Sequence, residues 1–183
     1  MKYNYLTSSL LNSWLYAISE YGDIDDFICT LKREPFERTD AMQAGIDFEN
    51  ECYAGQHEHI QRYIAGGLFQ VECAKIYNNI LIYGFADVLN YDTIYDIKRT
   101  GKYSLGKYFN TSQHKIYCYC LEVDKFKYLI QTNTGFFVED YTYKTGQAEA
   151  LITEFIEWLK ATKLYEIWKE RWVREWDGQA GVD

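Results

Sequence analysis

The stretch YGFADVLNYDTIYDIKRTG, residues 83–101, contains two apolar segments separated by the turn-forming run Asn-Tyr-Asp. Such segments around a short turn predict a β-hairpin. Side chains two apart in a strand share a face at roughly 6.6 Å, so Asp96 and Lys98 face one way and Ile97 faces the other way, into a core. Pairing across the turn brings Asp87 beside Asp96. The hairpin therefore predicts two carboxylates and one ammonium group on one face of a mostly apolar sheet.

This predicted cluster has the composition of a site for a hard divalent cation. Two carboxylates held together cannot both ionise cheaply unless a cation compensates their charge. The cluster contains no Cys or His, which favours Mg²⁺ or Mn²⁺ over zinc, and the carbonyl of Ile97 offers a further oxygen ligand. An isolated Asp-x-Lys is common on protein surfaces, so a solvated hairpin is the alternative, and the sequence around the hairpin distinguishes the two.

Two further segments supply that context. In AMQAGIDFENECY (41–53), helical spacing places Glu49 on an otherwise apolar face, and an inward-facing carboxylate usually has a partner. In SQHKIYCY (112–119), Gln113 and Tyr117 are i,i+4 neighbours on a helix. An amide and a phenol so placed can hold a water, a phosphate or a lysine.

Hydrophobic periodicity and turn residues predict the rest of the chain. The expected helices and strands are helices at 7–20, 23–31 and 40–64 with a break near Gly55, strands at 68–77, 80–89 and 93–99, a helix at 110–121, strands at 125–132 and 135–143, and helices within 147–176. This order predicts an α/β fold with a central mixed β-sheet of about five strands and helices on both faces. We expect one domain over 1–183, with a helical N-terminal part (1–66), a sheet core (67–145) and C-terminal helices (146–178).

The charge distribution is uneven along the chain. The net charge is −8, yet residues 97–121 contain no Asp or Glu and carry five basic residues, so the remainder carries −13. The five basic residues are Lys98, Arg99, Lys102, Lys107 and Lys115. This pattern predicts a local anion-binding patch, with the last four as contacts to a nucleic-acid backbone. A solvated basic face is the alternative.

Other features narrow the class of protein. No apolar run is long enough to cross a bilayer and the N-terminus does not resemble a signal peptide, so we expect a cytoplasmic protein without a membrane partner. Five cysteines without CxxC spacing predict free thiols. The tryptophan-rich segment KLYEIWKERWVREW (163–176) predicts core packing, with a helix that binds a protein partner as the alternative.

In its motifs, the sequence resembles the PD-(D/E)XK nuclease superfamily, in the RecB-like branch that includes λ exonuclease-type enzymes and the CRISPR-adaptation exonucleases. The similar segments are the serine-rich opening TSSLLNSWLYA, AGIDFEN as motif I with Glu49, YGFADVL as motif II with Asp87, YDIKRTG as motif III with Asp96 and Lys98, and QHKIY as a Gln-x-x-x-Tyr motif with Gln113 and Tyr117. The resemblance implies a restriction-endonuclease-like fold. It also implies that Glu49, Asp87, Asp96 and the Ile97 carbonyl bind metal and that Lys98, Gln113 and Tyr117 complete the catalytic set.

Two departures from that family refine the expectation. Glu49 stands where many RecB-like members have a histidine, which is closer to the λ exonuclease pattern. No cysteine follows Cys120, so the three C-terminal ligands of the CRISPR-adaptation iron–sulfur cluster are missing, and we expect no such cluster.

The sequence thus predicts a Mg²⁺- or Mn²⁺-dependent deoxyribonuclease, favoured to be an exonuclease in DNA recombination, repair, phage or CRISPR-type processing. It leaves open single- or double-stranded DNA as the partner. The alternative is a catalytically silent nuclease-fold module that binds DNA or protein, such as an inhibitor or adaptor.

Overall fold

A computed structural model describes residues 1–178, and residues 179–183, which we expect to belong to the same domain, lie outside the described part. The described chain forms seven strands and seven helices in the order β1 (Lys2–Leu6), α1 (Ser8–Ala17), α2 (Ile24–Lys32), α3 (Asp40–Tyr53), α4 (Glu58–Ile64), β2 (Leu68–Tyr77), β3 (Ile80–Asn90), β4 (Thr93–Arg99), α5 (Gln113–Leu121), β5 (Lys125–Gln131), β6 (Phe136–Thr142), α6 (Gln147–Ala161), α7 (Tyr165–Arg171) and β7 (Val173–Glu175). None of these helices combines the length and the apolar character that a bilayer crossing requires.

Short local signals set several of these boundaries. Thr7 caps α1, because its side-chain oxygen accepts the N–H of Leu10 at 3.1 Å. Asn78 and Asn79 join β2 to β3 with φ of 48° and 62°, the left-handed pair that a two-residue hairpin turn requires. Gly55, at φ 78°, separates α3 from α4 where the sequence predicts a break.

All seven described strands belong to one mixed sheet flanked by helices, which confirms the predicted fold class. The order along the sheet is β6-β5-β4-β3-β1-β7, and β2 pairs with β3 outside this path. The β1–β3 and β4–β5 pairs are parallel, and the others are antiparallel. The sheet is wider than predicted because the short strands β1 and β7 extend it, and β7 lies in a segment predicted to be helical.

Two apolar cores cover the two faces of the sheet. The larger core lies under α1, α2, α5, α6 and α7, and its buried members include Trp14, Phe27, Ile116, Phe155 and Trp168. The smaller core joins residues of α3 and α4 to the sheet and consists of Phe48, Cys52, Ile60, Ile64, Val88, Ile97 and Leu129. Ile97 therefore packs under α3 and α4, and its neighbours Asp96 and Lys98 point to the opposite face.

The tryptophan-rich segment packs into the protein itself. Trp168 and Trp172 are 1% and 8% exposed, and their indole N–H groups donate to the carbonyls of Tyr5 at 3.1 Å and Leu31 at 2.8 Å. These side chains bury apolar area and satisfy their one polar atom within the chain. The packing agrees with the predicted core role of this segment and gives no support to the alternative of a protein-binding helix.

His114 on α5 is a buried histidine whose protonation opposes folding. It is 5% exposed and stacks on Tyr141, and its Nδ1 has no hydrogen-bond partner among the described residues. Burial, helped by the charge of Lys115, lowers the pKa of His114 to about 4 from its ordinary 6.5. The neutral ring is therefore the form that folds.

We expect the free energy of unfolding to fall as the pH drops from 6.5 towards 4, because the unfolded chain binds a proton on His114 over this range and the folded chain does not. The contribution is fully present above pH 6.5, and its loss amounts to about 3 kcal/mol. His114→Phe removes the titrating group and keeps a ring against Tyr141. Urea unfolding of both proteins at pH 7.5 and 4 measures the difference, and equal pH dependence in the two would contradict this account of His114.

Candidate active site

The site lies beside the central strand β3, at a part of one edge where none of the described strands pairs with it. One edge pairs with β2 over nearly the whole length of the strand. On the other edge, β1 pairs with residues 80–82 and β4 with residues 88–90. Because a strand has only two edges, residues 83–87 have none of the described strands beside them on this second edge. The end of β1 and the C-terminal end of β4 therefore diverge along this edge of β3, and we call the gap between these two strands the crevice.

Asp87 and Asp96 lie side by side where β3 and β4 diverge. The ladder between these strands ends at the Val88–Tyr95 pair, and the next opposed positions are Asp87 and Asp96. Instead of a ladder bond, the Asp87 carboxylate Oδ2 accepts the backbone N–H of Ile97 at 2.8 Å. The side chain of Asp87 thus closes the fork, and the strand register brings the two aspartates together as the hairpin pattern predicts.

Lys98 and Gln113 both contact the carboxylate of Asp96. The Lys98 Nζ lies 2.5 Å from Asp96 Oδ2, and Gln113 Nε2 donates to Asp96 Oδ1 at 2.7 Å. Asp96 is fully buried, and its Oδ2 is in direct contact with the Lys98 ammonium group. A buried carboxylate is costly unless it is paired, and here the ammonium contacts one oxygen of Asp96 and the amide contacts the other.

The charges in this cluster oppose each other. Burial, and then the charge of Asp96, raises the pKa of Asp87 well above its ordinary value, although the ammonium of Lys98 works against the shift. Burial also raises the pKa of Asp96, again against the effect of Lys98. For Lys98, burial alone lowers the pKa, but the two carboxylates outweigh it and the net shift is upward. One lysine is therefore insufficient to compensate two buried carboxylates, and the pair disfavours the doubly ionised state.

Glu49 approaches this pair from α3. Its Oε1 accepts the hydroxyl of Tyr53 at 2.5 Å and the side-chain amide of Gln70 at 2.8 Å. The charge of Glu49 contributes to the raised pKa of both Asp87 and Asp96, so the three carboxylates lie within electrostatic reach of one another. The predicted placement of Glu49 on an inward-facing apolar side of α3 is wrong, because Met42 and Ile46 on that side are exposed and the buried residues of α3 are Phe48 and Cys52. Tyr53 and Gln70 were not predicted as the hydrogen-bond partners of Glu49.

Tyr117 closes the crevice from α5. Its hydroxyl shares a 2.8 Å hydrogen bond with the Oγ of Ser8, the first residue of α1, and both side chains are buried. A Cβ atom at Gly84 would lie 3.2 Å from Tyr117 Cε1, so a glycine there lets the phenol ring lie against β3. Burial raises the pKa of Tyr117, which keeps its hydroxyl protonated. Ser8 belongs to the serine-rich segment TSSLLNSWLYA and was not predicted as a site residue.

The four basic residues predicted to contact nucleic acid divide into two groups. Arg99, the last residue of β4, and Lys102, in the loop after it, are exposed. Lys107 donates to Thr100 Oγ1 at 2.8 Å and so ties this loop to the end of β4. Lys115 is half-buried on the side of α5 away from Gln113, where the charge of Glu154 on α6 raises its pKa while burial lowers it more. Three of the four therefore lie at the end of β4 and in the loop after it, and the fourth faces α6.

The donor chemistry of this cluster fits a hard divalent cation. No three Asp, Glu, His or Cys side chains of the described residues stand close enough together to form a ready-made metal site. The available donors are nevertheless all oxygens, which Mg²⁺ and Mn²⁺ prefer. Three carboxylates and one ammonium group leave a residual charge of −2 when all are ionised. That residual charge matches what a divalent cation would compensate.

Comparison with solved structures identifies the fold. The sequence matches no protein-family model, and no curated protein is significantly similar to it. The fold is similar to that of an alkaline exonuclease, LHK-Exo from Laribacter hongkongensis, with a TM-score of 0.59 and 15% identity over 91% of this chain and 93% of that chain. The structure of LHK-Exo in complex with dAMP matches with a TM-score of 0.52 and 16% identity over 90% of this chain and 86% of the other. The structure of SSO0001 matches with a TM-score of 0.55 and 12% identity over 86% of this chain and 76% of that chain.

These likenesses show that the chain shares its fold with the alkaline exonuclease and with SSO0001. At this level of identity they establish architecture, and the chemistry rests on the side chains of this chain.

Proposed function

We propose that this chain is a Mg²⁺- or Mn²⁺-dependent deoxyribonuclease that hydrolyses phosphodiester bonds as an exonuclease. The observation that supports this most strongly is the meeting of Asp87, Asp96 and Lys98 at the fork between β3 and β4, buried and incompletely compensated. A soluble scaffold gains nothing from burying two like charges, whereas a metal-dependent hydrolase requires such a cluster. The exonuclease fold is consistent with this chemistry.

The proposed metal ligands are Glu49, Asp87, Asp96 and the carbonyl of Ile97. A bound divalent cation supplies polarisation of the phosphoryl oxygen and a lowered pKa for the attacking water. Lys98 places a compact positive charge beside Asp96, suited to stabilise the negative charge that develops on the phosphate during attack. Water adds its oxygen to phosphorus and releases a proton to the solvent, the bond from phosphorus to the 3′ oxygen breaks, and that oxygen takes up a proton from the solvent.

Gln113 and Tyr117 have supporting parts in this proposal. Gln113 fixes the orientation of the Asp96 carboxylate through its 2.7 Å hydrogen bond. Tyr117 donates to or accepts from Ser8 and forms the wall of the crevice on the side of Lys98. Its hydroxyl stays protonated, because burial raises its pKa. Both residues lie on one face of α5, so the helix presents them to the site as a unit.

DNA is the proposed substrate. A structure of the same fold holds dAMP, a deoxynucleotide, which supports DNA as the substrate class. We assign Arg99, Lys102 and Lys107, at the end of β4 and in the loop after it, to the DNA backbone, where they would bind phosphates without reading the sequence. Lys115 is the weakest of the four predicted contacts, because it faces Glu154.

The direct test is hydrolysis of end-labelled linear and circular DNA, each single- and double-stranded, with Mn²⁺ and with Mg²⁺. We expect release of short products from linear DNA and little cleavage of circles. Cleavage of circular DNA at the same rate would replace the exonuclease mode with an endonuclease mode. No hydrolysis of any substrate with either metal would reject the enzyme and leave a DNA- or protein-binding module of nuclease fold.

A further inference from the structure

Gln70 in strand β2 has an unusual backbone conformation, and it lies opposite Asp87 of the neighbouring strand β3. The ladder between β2 and β3 runs through the pairs Phe69–Val88 and Val71–Ala86 but omits Gln70 opposite Asp87. Gln70 has φ of 50°, in the left-handed region that residues other than glycine rarely adopt and hardly ever within a strand. The ladder resumes in the same register on both sides. The distortion is therefore confined to this residue, next to the proposed metal site.

The side chain of Gln70 bridges two residues of α3. Its Nε2 donates to Glu49 Oε1 and to the hydroxyl oxygen of Tyr53, both at 2.8 Å. Tyr53 in turn donates to the same oxygen of Glu49 at 2.5 Å. Oε1 thus accepts two hydrogen bonds, whereas the second carboxylate oxygen, Oε2, accepts none from the described part of the chain. The local distortion of β2 accompanies a closed triangle of three polar groups around one oxygen.

This triangle addresses a specific difficulty of the site. Asp87 and Asp96 are held by the register of the sheet, but Glu49 projects from a helix on a flexible side chain that loses conformational freedom when it is fixed. A neutral amide can hold one oxygen of the Glu49 carboxylate and leave its negative charge in place. A lysine or arginine in the same position would neutralise that negative charge, which the bound cation needs. Strained backbone geometry is tolerated at functional sites where it orients a required group.

We propose that Gln70 is a positioning residue that, with Tyr53, holds Glu49 by Oε1 and leaves Oε2 for the divalent cation. This inference rests on the proposed function, since it assigns Glu49 to the metal. Gln70 itself contacts neither cation nor substrate, and it acts only through Glu49. The left-handed backbone of residue 70 is the means by which a residue of β2 directs its amide towards α3.

The variant Gln70→Gly separates this role from a purely structural one. Glycine adopts positive φ freely, so the thermal midpoint of the metal-free protein should be unchanged or raised. Loss of the amide should raise the Kd for Mn²⁺, measured as free Mn²⁺ by electron paramagnetic resonance, by about 10-fold. Activity at limiting Mn²⁺ should fall, and saturating Mn²⁺ should restore most of kcat.

The matched control is Asn79→Gly, which also replaces a left-handed residue, at φ 62°, but in the turn between β2 and β3. It should bind Mn²⁺ like the wild-type protein. An unchanged Mn²⁺ affinity in Gln70→Gly would overturn the proposal, as would a loss of thermal stability without a loss of affinity. If the wild-type protein hydrolyses DNA and the two variants bind Mn²⁺ with equal affinity, this inference alone is overturned. A wild-type protein without Mn²⁺ binding would overturn the metal site and this inference together.

Discussion

Replacing Lys98 with methionine is expected to lower kcat for DNA hydrolysis by about 100- to 1,000-fold, the usual effect of removing one preorganised charge from a transition state. Methionine keeps an unbranched apolar stem of similar length, so the packing along β4 is largely preserved. The ammonium group at 2.5 Å from Asp96 is lost. If Lys98 acts on the developing phosphate charge, the effect should fall on kcat more than on KM.

The measurement is steady-state hydrolysis of end-labelled DNA at saturating Mn²⁺, with the folded state verified by thermal unfolding. Lys125→Met is the control, because Lys125 is an exposed lysine of β5 whose ion pair with Asp92 is of the surface type that contributes little. It should retain wild-type kcat. A folded Lys98→Met protein with wild-type kcat would remove Lys98 from the proposed mechanism.

Replacing Asp87 with asparagine is expected to stabilise the metal-free protein and to abolish most of its activity. Burial and the neighbouring Asp96 raise the pKa of Asp87, so ionisation of this group opposes folding. For an acid with a raised folded pKa, stability is greatest at low pH and declines as the pH rises above the ordinary value of about 4. Asparagine removes this cost while its amide oxygen can still accept the N–H of Ile97. At neutral pH the gain in unfolding free energy should be about 2 kcal/mol.

The response to Mn²⁺ should change in the opposite direction. A metal at 100 times its Kd stabilises the folded wild-type protein by about 2.7 kcal/mol, and Asp87→Asn should lose most of this gain together with hydrolysis. Asp92→Asn is the control, since Asp92 lies in the same hairpin but is exposed and paired with Lys125. Calorimetry with and without Mn²⁺ measures both effects. An Asp87→Asn protein that Mn²⁺ stabilises as strongly as the wild type would contradict the assignment of Asp87 to the metal.

The sequence predicts the centre of this site well because short-range geometry determines it. Alternation along β4 sets Asp96 and Lys98 on one face, and the turn before it sets the register that places Asp87 opposite Asp96. Helical spacing likewise predicts that Gln113 and Tyr117 project together, and the structure places both at the crevice. These relations involve residues close in sequence, or strands joined by a short turn.

The parts that the sequence did not predict depend on contacts between distant residues. β1 and β7 are short strands that pair with strands distant in the sequence, so no local sequence pattern predicts them. Gln70 is one polar residue in an alternating strand, and nothing in its neighbours predicts a left-handed backbone or a bond to α3. Lys115 was assigned to the basic patch from the charge distribution along the sequence, but its position on α5 directs its side chain towards Glu154. Tertiary packing decides each of these cases.

The most direct test of the central claim is anomalous scattering from crystals of the wild-type protein grown with Mn²⁺. We expect a manganese peak at the fork between β3 and β4. Carboxylate oxygens of Asp87 and Asp96 should be among its ligands, with Glu49 on the same ion or an adjacent one. Manganese bound only elsewhere, with both aspartates unliganded, would contradict the claim.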